Sequence, residues 1–248
     1  MASKRAGKNQ AGRLAGKVAV VTGASRGIGL AIAQALAAEG CALAVSSRNP
    51  KSLAAASKRI HGGRLLTLAC DVRAAGSVDA FFAAVRREFG RVDIMVNNAG
   101  IAHTMKPVEE LSVDAWQDVI ATNLTGTFLC TRAALPLMRA GGVIVNNLSI
   151  AAGTVFAGLS AYDASKHGAL GFTNTLREEL RGRGIRVLAL ITGATDTDIW
   201  QQFMPEADRK TMMRPAAIAA MVVEAIALPP DAPVEEIRMM PPRGTNRN

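Results

Sequence analysis

Tyr162 and Lys166 stand four residues apart in the run Tyr162-Asp163-Ala164-Ser165-Lys166. On a helix that spacing puts both side chains on one face, one turn apart. A free phenol titrates near pH ~10, too high for easy proton exchange at neutral pH. A lysine cation beside it favours the phenolate and lowers that value, so the pair is a candidate proton donor and acceptor. Tyr162 is the one tyrosine of the chain, and Ser149 lies thirteen residues before it, at the end of an apolar run. In a doubly wound sheet the strand ends form the ligand crevice, where a hydroxyl can hold a carbonyl oxygen or the alkoxide made from it.

A second set of residues suits a phosphate. The run Thr22-Gly23-Ala24-Ser25-Arg26-Gly27-Ile28-Gly29 follows the first apolar stretch and opens a helix. Gly23, Gly27 and Gly29 permit positive φ and let a diphosphate reach the backbone. Free amides at the helix N-terminus, around Ser25, Arg26 and Ile28, attract an anion. About twenty residues past such a loop, NAD binders carry an acid for the ribose 2′-OH. Here the stretch is Val45-Ser46-Ser47-Arg48, without an acid. The Ser47 hydroxyl and the Arg48 guanidinium suit a 2′-phosphate, and Arg26 adds charge on the same side. The expected cofactor is NADP(H).

The elements that must position these groups follow from periodicity. Short apolar runs occur at Val18–Val21, Ala42–Val45, Leu65–Leu68, Ile94–Val96, Val143–Val145, Ile185–Ile191 and Glu236–Met239. Runs of this kind suit strands buried on both faces of a parallel sheet. Helical signals lie between them. Ile28, Ile32 and Leu36 recur at helical spacing, Asn49-Pro50 caps a second helix, and Ser77 is the expected cap of a third. A longer helix follows Ser112, with Trp116, Ile120, Asn123 and Leu124 as its inward candidates, and another spans about 161–181. The expectation is an α/β fold: one doubly wound, mostly parallel Rossmann-like sheet of about seven strands with helices on both faces. A single domain over 15–248 follows a basic tail at 1–14.

These motifs, in this order, resemble the short-chain dehydrogenase/reductase family over roughly residues 15 to 241, among members such as 3-oxoacyl-carrier-protein and carbonyl reductases. The Ser149–Tyr162–Lys166 spacing is similar to that family's catalytic signature. The resemblance implies that Ser149 orients the substrate, Tyr162 transfers the proton, and Lys166 tunes Tyr162 and holds the nicotinamide ribose. It implies that Asn123 holds a proton-relaying water, although a structural role at a helix irregularity near Gly126 is also open. Asn97-Asn98-Ala99-Gly100 matches the run that steadies the sheet and borders the cofactor with Asn98, Ala99 and Gly100. Asp71 and Val72 match the adenine contacts. Gly193, Thr195 and Thr197 match the loop at the carboxamide and phosphates, with Thr192 where the family usually has proline.

The implied activity is hydride transfer between NADP(H) and a carbonyl or secondary alcohol. A hydroxy-acid or alcohol dehydrogenase would share the chemistry. A non-catalytic NADP-binding sensor is the reading from another class, and an intact Ser149, Tyr162 and Lys166 disfavours it. The family implies a homodimer or homotetramer through the helices at about 113–135 and 161–181.

Composition narrows the classes. The net charge is +9, but Lys4, Arg5, Lys8, Arg13 and Lys17 carry five of those charges before the first acid, Glu39, leaving +4 for the remainder. With no reading motif beside it, this charge reads as a solvated tail and not a nucleic-acid surface. No apolar run is long enough for a bilayer, so no membrane partner is expected. Cys41, Cys70 and Cys130 form neither a disulfide framework nor a metal cluster, which points to a reducing compartment, the cytoplasm. His61, His103 and His167 are scattered, and no metal is expected.

Overall fold

The computed structural model describes residues 12–242. Strands and helices alternate as β1 (Val18–Thr22), α1 (Gly27–Ala38), β2 (Ala42–Ser47), α2 (Pro50–Ser57), β3 (Leu65–Ala69), α3 (Ala75–Phe89) and β4 (Ile94–Asn97). Then come α4 (Val113–Ile120), α5 (Gly126–Ala134), β5 (Val143–Asn147), α6 (Ser160–Arg181), β6 (Arg186–Thr192), α7 (Trp200–Phe203), α8 (Pro215–Ala227) and β7 (Glu236–Met239). The seven strands form one sheet in the order β3-β2-β1-β4-β5-β6-β7, and every pair is parallel. The chain reverses direction across the sheet between β1 and β4, where a crevice opens at the strand ends.

Parallel strands need cover on both faces, and two apolar layers provide it. On one face α1, α2 and α8 pack through Ile32, Leu36, Leu53 and Ile218. On the other, α3, α5 and α6 pack through Phe81, Val85, Cys130 and Leu176. β1 is buried at every position, whereas β3, at the sheet's edge, is half exposed, unlike the two-sided burial expected of it. An edge strand is paired on one side only, so its apolar run is no guide to its burial. Cys41, Cys70 and Cys130 are buried and free.

Three local expectations change. The third helix starts at Ala75, before Ser77, whose Oγ accepts from Asp71 N at 3.0 Å instead of capping. From α4 through the following turn into α5 the inward stripe is Val119, Asn123 and Thr127, leaving Trp116 39% exposed. Both stripes have helical spacing, and packing chose between them. The boundary of the tail also shifts: Leu14 is buried and Arg13 pairs with Glu39 and Glu224, so both belong to the folded body. Residues 1–11 of the expected tail lie outside the described residues.

Candidate active site

The strand ends set the site. Thr22, Ser47, Asn97, Asn147 and Thr192 close β1, β2, β4, β5 and β6 on the same edge. Beyond them lies a cavity of about 1350 Å³. A buried polar ladder underlies it. Asn97 and Asn146 face each other across β4 and β5, and Asn97 Nδ2 donates to Asn146 Oδ1 at 2.8 Å. Asn97 Nδ2 also reaches Thr131 Oγ1 on α5, and Asn146 Nδ2 reaches Thr173 Oγ1 on α6, each at 2.9 Å. Buried amides need such partners, and these tie the sheet to the helix that carries Tyr162.

The glycine loop sits at one end of the cavity. Gly23 has φ +65, and a Cβ there would stand 2.8 Å from Ala99 Cα. A Cβ on Gly29 would overlap the Asn98 side chain. Asn98 Nδ2 donates to the carbonyls of Thr22 and Gly23 at 3.0 and 3.1 Å, and the Asn98 and Ala99 amides donate to Thr22 Oγ1. Small residues thus let the Asn-Asn-Ala-Gly run brace the loop. Gly23, Ser25, Arg26, Gly27 and Ile28 line the cavity; Gly29 lies behind it. Arg26 stands at the N-cap of α1 with no side-chain cap bond, so first-turn amides there stay open to an anion.

Ser47 and Arg48 line the same end. Ser47 Oγ donates to Asn49 O at 3.1 Å. Val72, Asn98, Ala99 and Gly100 line it as well, but Asp71 does not. The Asp71 carboxylate is taken by Arg73, whose side-chain hydrogen bonds hold it below the usual carboxylate range. Across the cavity are Gly193, Thr195 and Thr197. Gly193 N donates to Met239 O at 2.8 Å, so pairing with β7 runs on past Thr192.

Tyr162, Lys166 and Ser149 line the same cavity. Lys166 Nζ lies 5.6 Å from the Tyr162 ring centroid. Its hydrogen-bond partner within the described chain is Asn147 O at 3.1 Å. Two of its three donors thus remain for a ligand's hydroxyls. Ser149 Oγ accepts from Ala151 N at 3.2 Å, which leaves its own O–H to donate. Burial pushes the Tyr162 phenol above its ordinary value, and a hydrogen bond from Ser149 opposes that. Burial brings Lys166 down to about 8. A buried phenol that keeps its proton is in the state from which it can donate.

Asn123 does not line the cavity but stands directly behind it. It sits in a π-helical turn at Ala121–Thr125, and its amide bonds Ile101 and Ser165. A Cβ on Gly100 would lie 3.4 Å from Asn123 Oδ1 and 3.8 Å from Lys166 Nζ, so one small residue separates the two. Sequence reasoning missed Asn147, the partner of Lys166, and Thr122, a lining residue with a buried, unpartnered Oγ1. The asparagine pair closing β5 was the available signal, since a polar strand end faces the crevice. Among the described residues no His, Cys, Asp or Glu cluster could hold a metal ion, and no helix is long and apolar enough to cross a membrane.

Known proteins share this arrangement. The family model for short chain dehydrogenase matches residues 17–208. The D-threitol dehydrogenase of Mycolicibacterium smegmatis is 46% identical over 71% of this chain and 68% of its own length. The 3beta-hydroxysteroid dehydrogenase of Mediterraneibacter gnavus is 40% identical over 84% of this chain and 75% of its own. A short chain dehydrogenase from Burkholderia cenocepacia, solved in complex with NADP, superposes with a TM-score of 0.84 at 31% identity, covering 92% of this chain and 97% of that one. With its parallel seven-stranded sheet, glycine loop and Ser149–Tyr162–Lys166 centre, the chain belongs to the short chain dehydrogenase family and is an oxidoreductase.

Proposed function

We propose that the protein reduces a ketone or aldehyde to an alcohol with NADPH, and runs the reverse on a secondary alcohol. The presence of Ser149, Tyr162 and Lys166 in one cavity with the glycine loop carries this reading. Bound NADPH would supply the hydride. The Ser149 hydroxyl holds the carbonyl oxygen and polarises the C=O bond. Tyr162 gives its proton to that oxygen as the alkoxide develops, and Lys166 stabilises the phenolate left behind. Asn123 acts as a positioning residue, holding the Ile101 backbone and Ser165 beside Lys166.

The residues present fit the cofactor. Open amides at α1, the free donors of Lys166 and the acid-free end of β2 suit its diphosphate, ribose and 2′-phosphate in turn. NADP in the Burkholderia relative supports the same choice. The exposed rings of Trp116 and Phe128, the latter edge-on to Phe172 of α6 at 6.2 Å, support assembly through α4, α5 and α6 as a homodimer or homotetramer. Three buried thiols support a cytoplasmic setting. The chemistry is tested by consumption of reduced nicotinamide with a carbonyl panel. Tyr162→Phe should abolish turnover while cofactor binding persists; retained turnover would overturn the mechanism.

A further inference from the structure

Beyond Tyr162 the cavity changes character. Tyr162 sits in an apolar cluster with Phe156, Leu159, Ile199 and Phe203. The Phe203 ring stands edge-on to the Tyr162 ring at 6.0 Å, and Trp200 stands edge-on to Phe203 at 4.7 Å. Ile199, Trp200 and Phe203 belong to a segment whose ends are pinned, since Asp196 N donates to Met213 O and Met213 N to Ala194 O.

Several polar side-chain atoms of this loop are tied to backbone groups. Trp200 Nε1 donates to Thr195 O at 2.9 Å, and Gln202 Oε1 accepts from Ala102 N at 2.8 Å. Thr211 Oγ1 donates to Asp208 O at 2.9 Å. At the mouth, Met105, Val155 and Met204 leave apolar surface in water, Val155 at 77% exposure. Such a rim gains by being covered with apolar matter.

Charge is distributed to match. The cations among the described lining residues are Arg26 and Arg48 at the glycine-loop end, and Lys166 under Tyr162. The charged groups on the loop side are Asp198 and Asp208. Asp198 already faces Arg26 at 3.7 Å and Arg209 at 3.8 Å, so a substrate carboxylate would have to displace a carboxylate to reach a cation there. A polyol would bury hydroxyls against rings that offer no hydrogen bond.

We propose that this half of the cavity takes the apolar ring of an uncharged ketone, aromatic or alicyclic, with the carbonyl at Ser149 and Tyr162. The proposal rests on the reading of those two residues as the reacting point. The product is the corresponding secondary alcohol, with hydride and proton delivered as above.

The test compares kcat/KM for four carbonyl compounds with NADPH: 1-phenyl-1,2-propanedione, erythrulose, acetoacetate and an acetoacetyl thioester of N-acetylcysteamine. Burying one phenyl ring should favour the first on the order of 50-fold over erythrulose and acetoacetate. Met204→Asn and Phe203→Asn should each narrow that ratio to roughly tenfold or less, chiefly through KM. Equal or better use of erythrulose, acetoacetate or the thioester, still abolished by Tyr162→Phe, would overturn the substrate class and leave the reaction standing. Failure to reduce any of the four, with NADPH bound, would overturn both.

Discussion

The side-chain amide of Asn123 pairs with both backbone groups of Ile101: Oδ1 accepts from Ile101 N, and Nδ2 donates to Ile101 O, each at 2.9 Å. A side chain thereby completes hydrogen bonding that the chain leaves open after Gly100, where no strand or helix is present to do so. The third contact, Nδ2 to Ser165 Oγ at 3.0 Å, ties the same clamp to the helix of Tyr162 and Lys166.

Asn123→Leu should therefore destabilise the fold. It strands the Ile101 N–H and C=O, each an unmet group that costs ~1–3 kcal/mol, while the Ser165 hydroxyl loses a donor but still donates to Tyr162 O at 2.7 Å. With partial relaxation the expected loss is about 2–4 kcal/mol in chemical denaturation. A loss under ~0.5 kcal/mol, the size of an ordinary surface change, would show that the clamp contributes nothing.

Lys166→Met should lower kcat/KM by roughly 10²- to 10⁴-fold, the range of a proton-transfer contribution. The same change should weaken binding of the reduced cofactor, because Lys166 Nζ keeps two donors free. Loss of activity with cofactor affinity unchanged would remove Lys166 from the ribose while leaving its effect on Tyr162.

The same lysine predicts a pH dependence of stability. Burial brings its folded value to about 8 from 10.5, so between those values the unfolded chain binds the proton more readily. Stability linked to this group rises with pH through that window and is flat on either side. The buried thiols, pushed up by burial, work in the opposite direction at high pH. The difference between wild type and Lys166→Met removes their contribution and should grow by about 3 kcal/mol from pH ~8 to pH ~10.5. A flat difference would mean that Lys166 is hydrated in solution.

Cofactor choice should respond to charge at the end of β2. Arg48→Glu or Ser47→Asp should weaken NADPH far more than NADH, since a carboxylate repels the 2′-phosphate. Equal loss for both cofactors would defeat the assignment.

Arg26 is shared between two claims. Its guanidinium lies 3.7 Å from Asp198 in the loop over the cavity, and Asp198 also faces Arg209 at 3.8 Å. A 2′-phosphate would compete with Asp198 for Arg26. The pair is exposed and worth at most ~1 kcal/mol, so Asp198→Asn should tighten NADPH two- to fivefold, as ~1 kcal/mol allows, and leave NADH unchanged. Tightening of both cofactors alike would assign the effect to the loop and not to Arg26.

Strand and helix order, the glycine loop and the Ser149–Tyr162–Lys166 spacing were legible without coordinates, because each rests on local periodicity or on neighbours in one element. Burial of β3 and the outward face of Trp116 were not, since an apolar run does not say whether it lies at a sheet's edge or which of two helical stripes faces in. The pairing of Asp71 with Arg73, two residues on, was likewise not read from the sequence.

The sequence alone determined the candidate centre: a phenol and an ammonium one helical turn apart, beyond a serine at a strand end. Tertiary structure decided what surrounds that centre. The Asn147 carbonyl on Lys166, the Asn123 clamp on Ile101 and the Phe203 ring edge-on to Tyr162 join segments far apart in the chain. Their side-chain directions follow from packing between loops at the strand ends, and packing between distant segments leaves no period in the sequence to read.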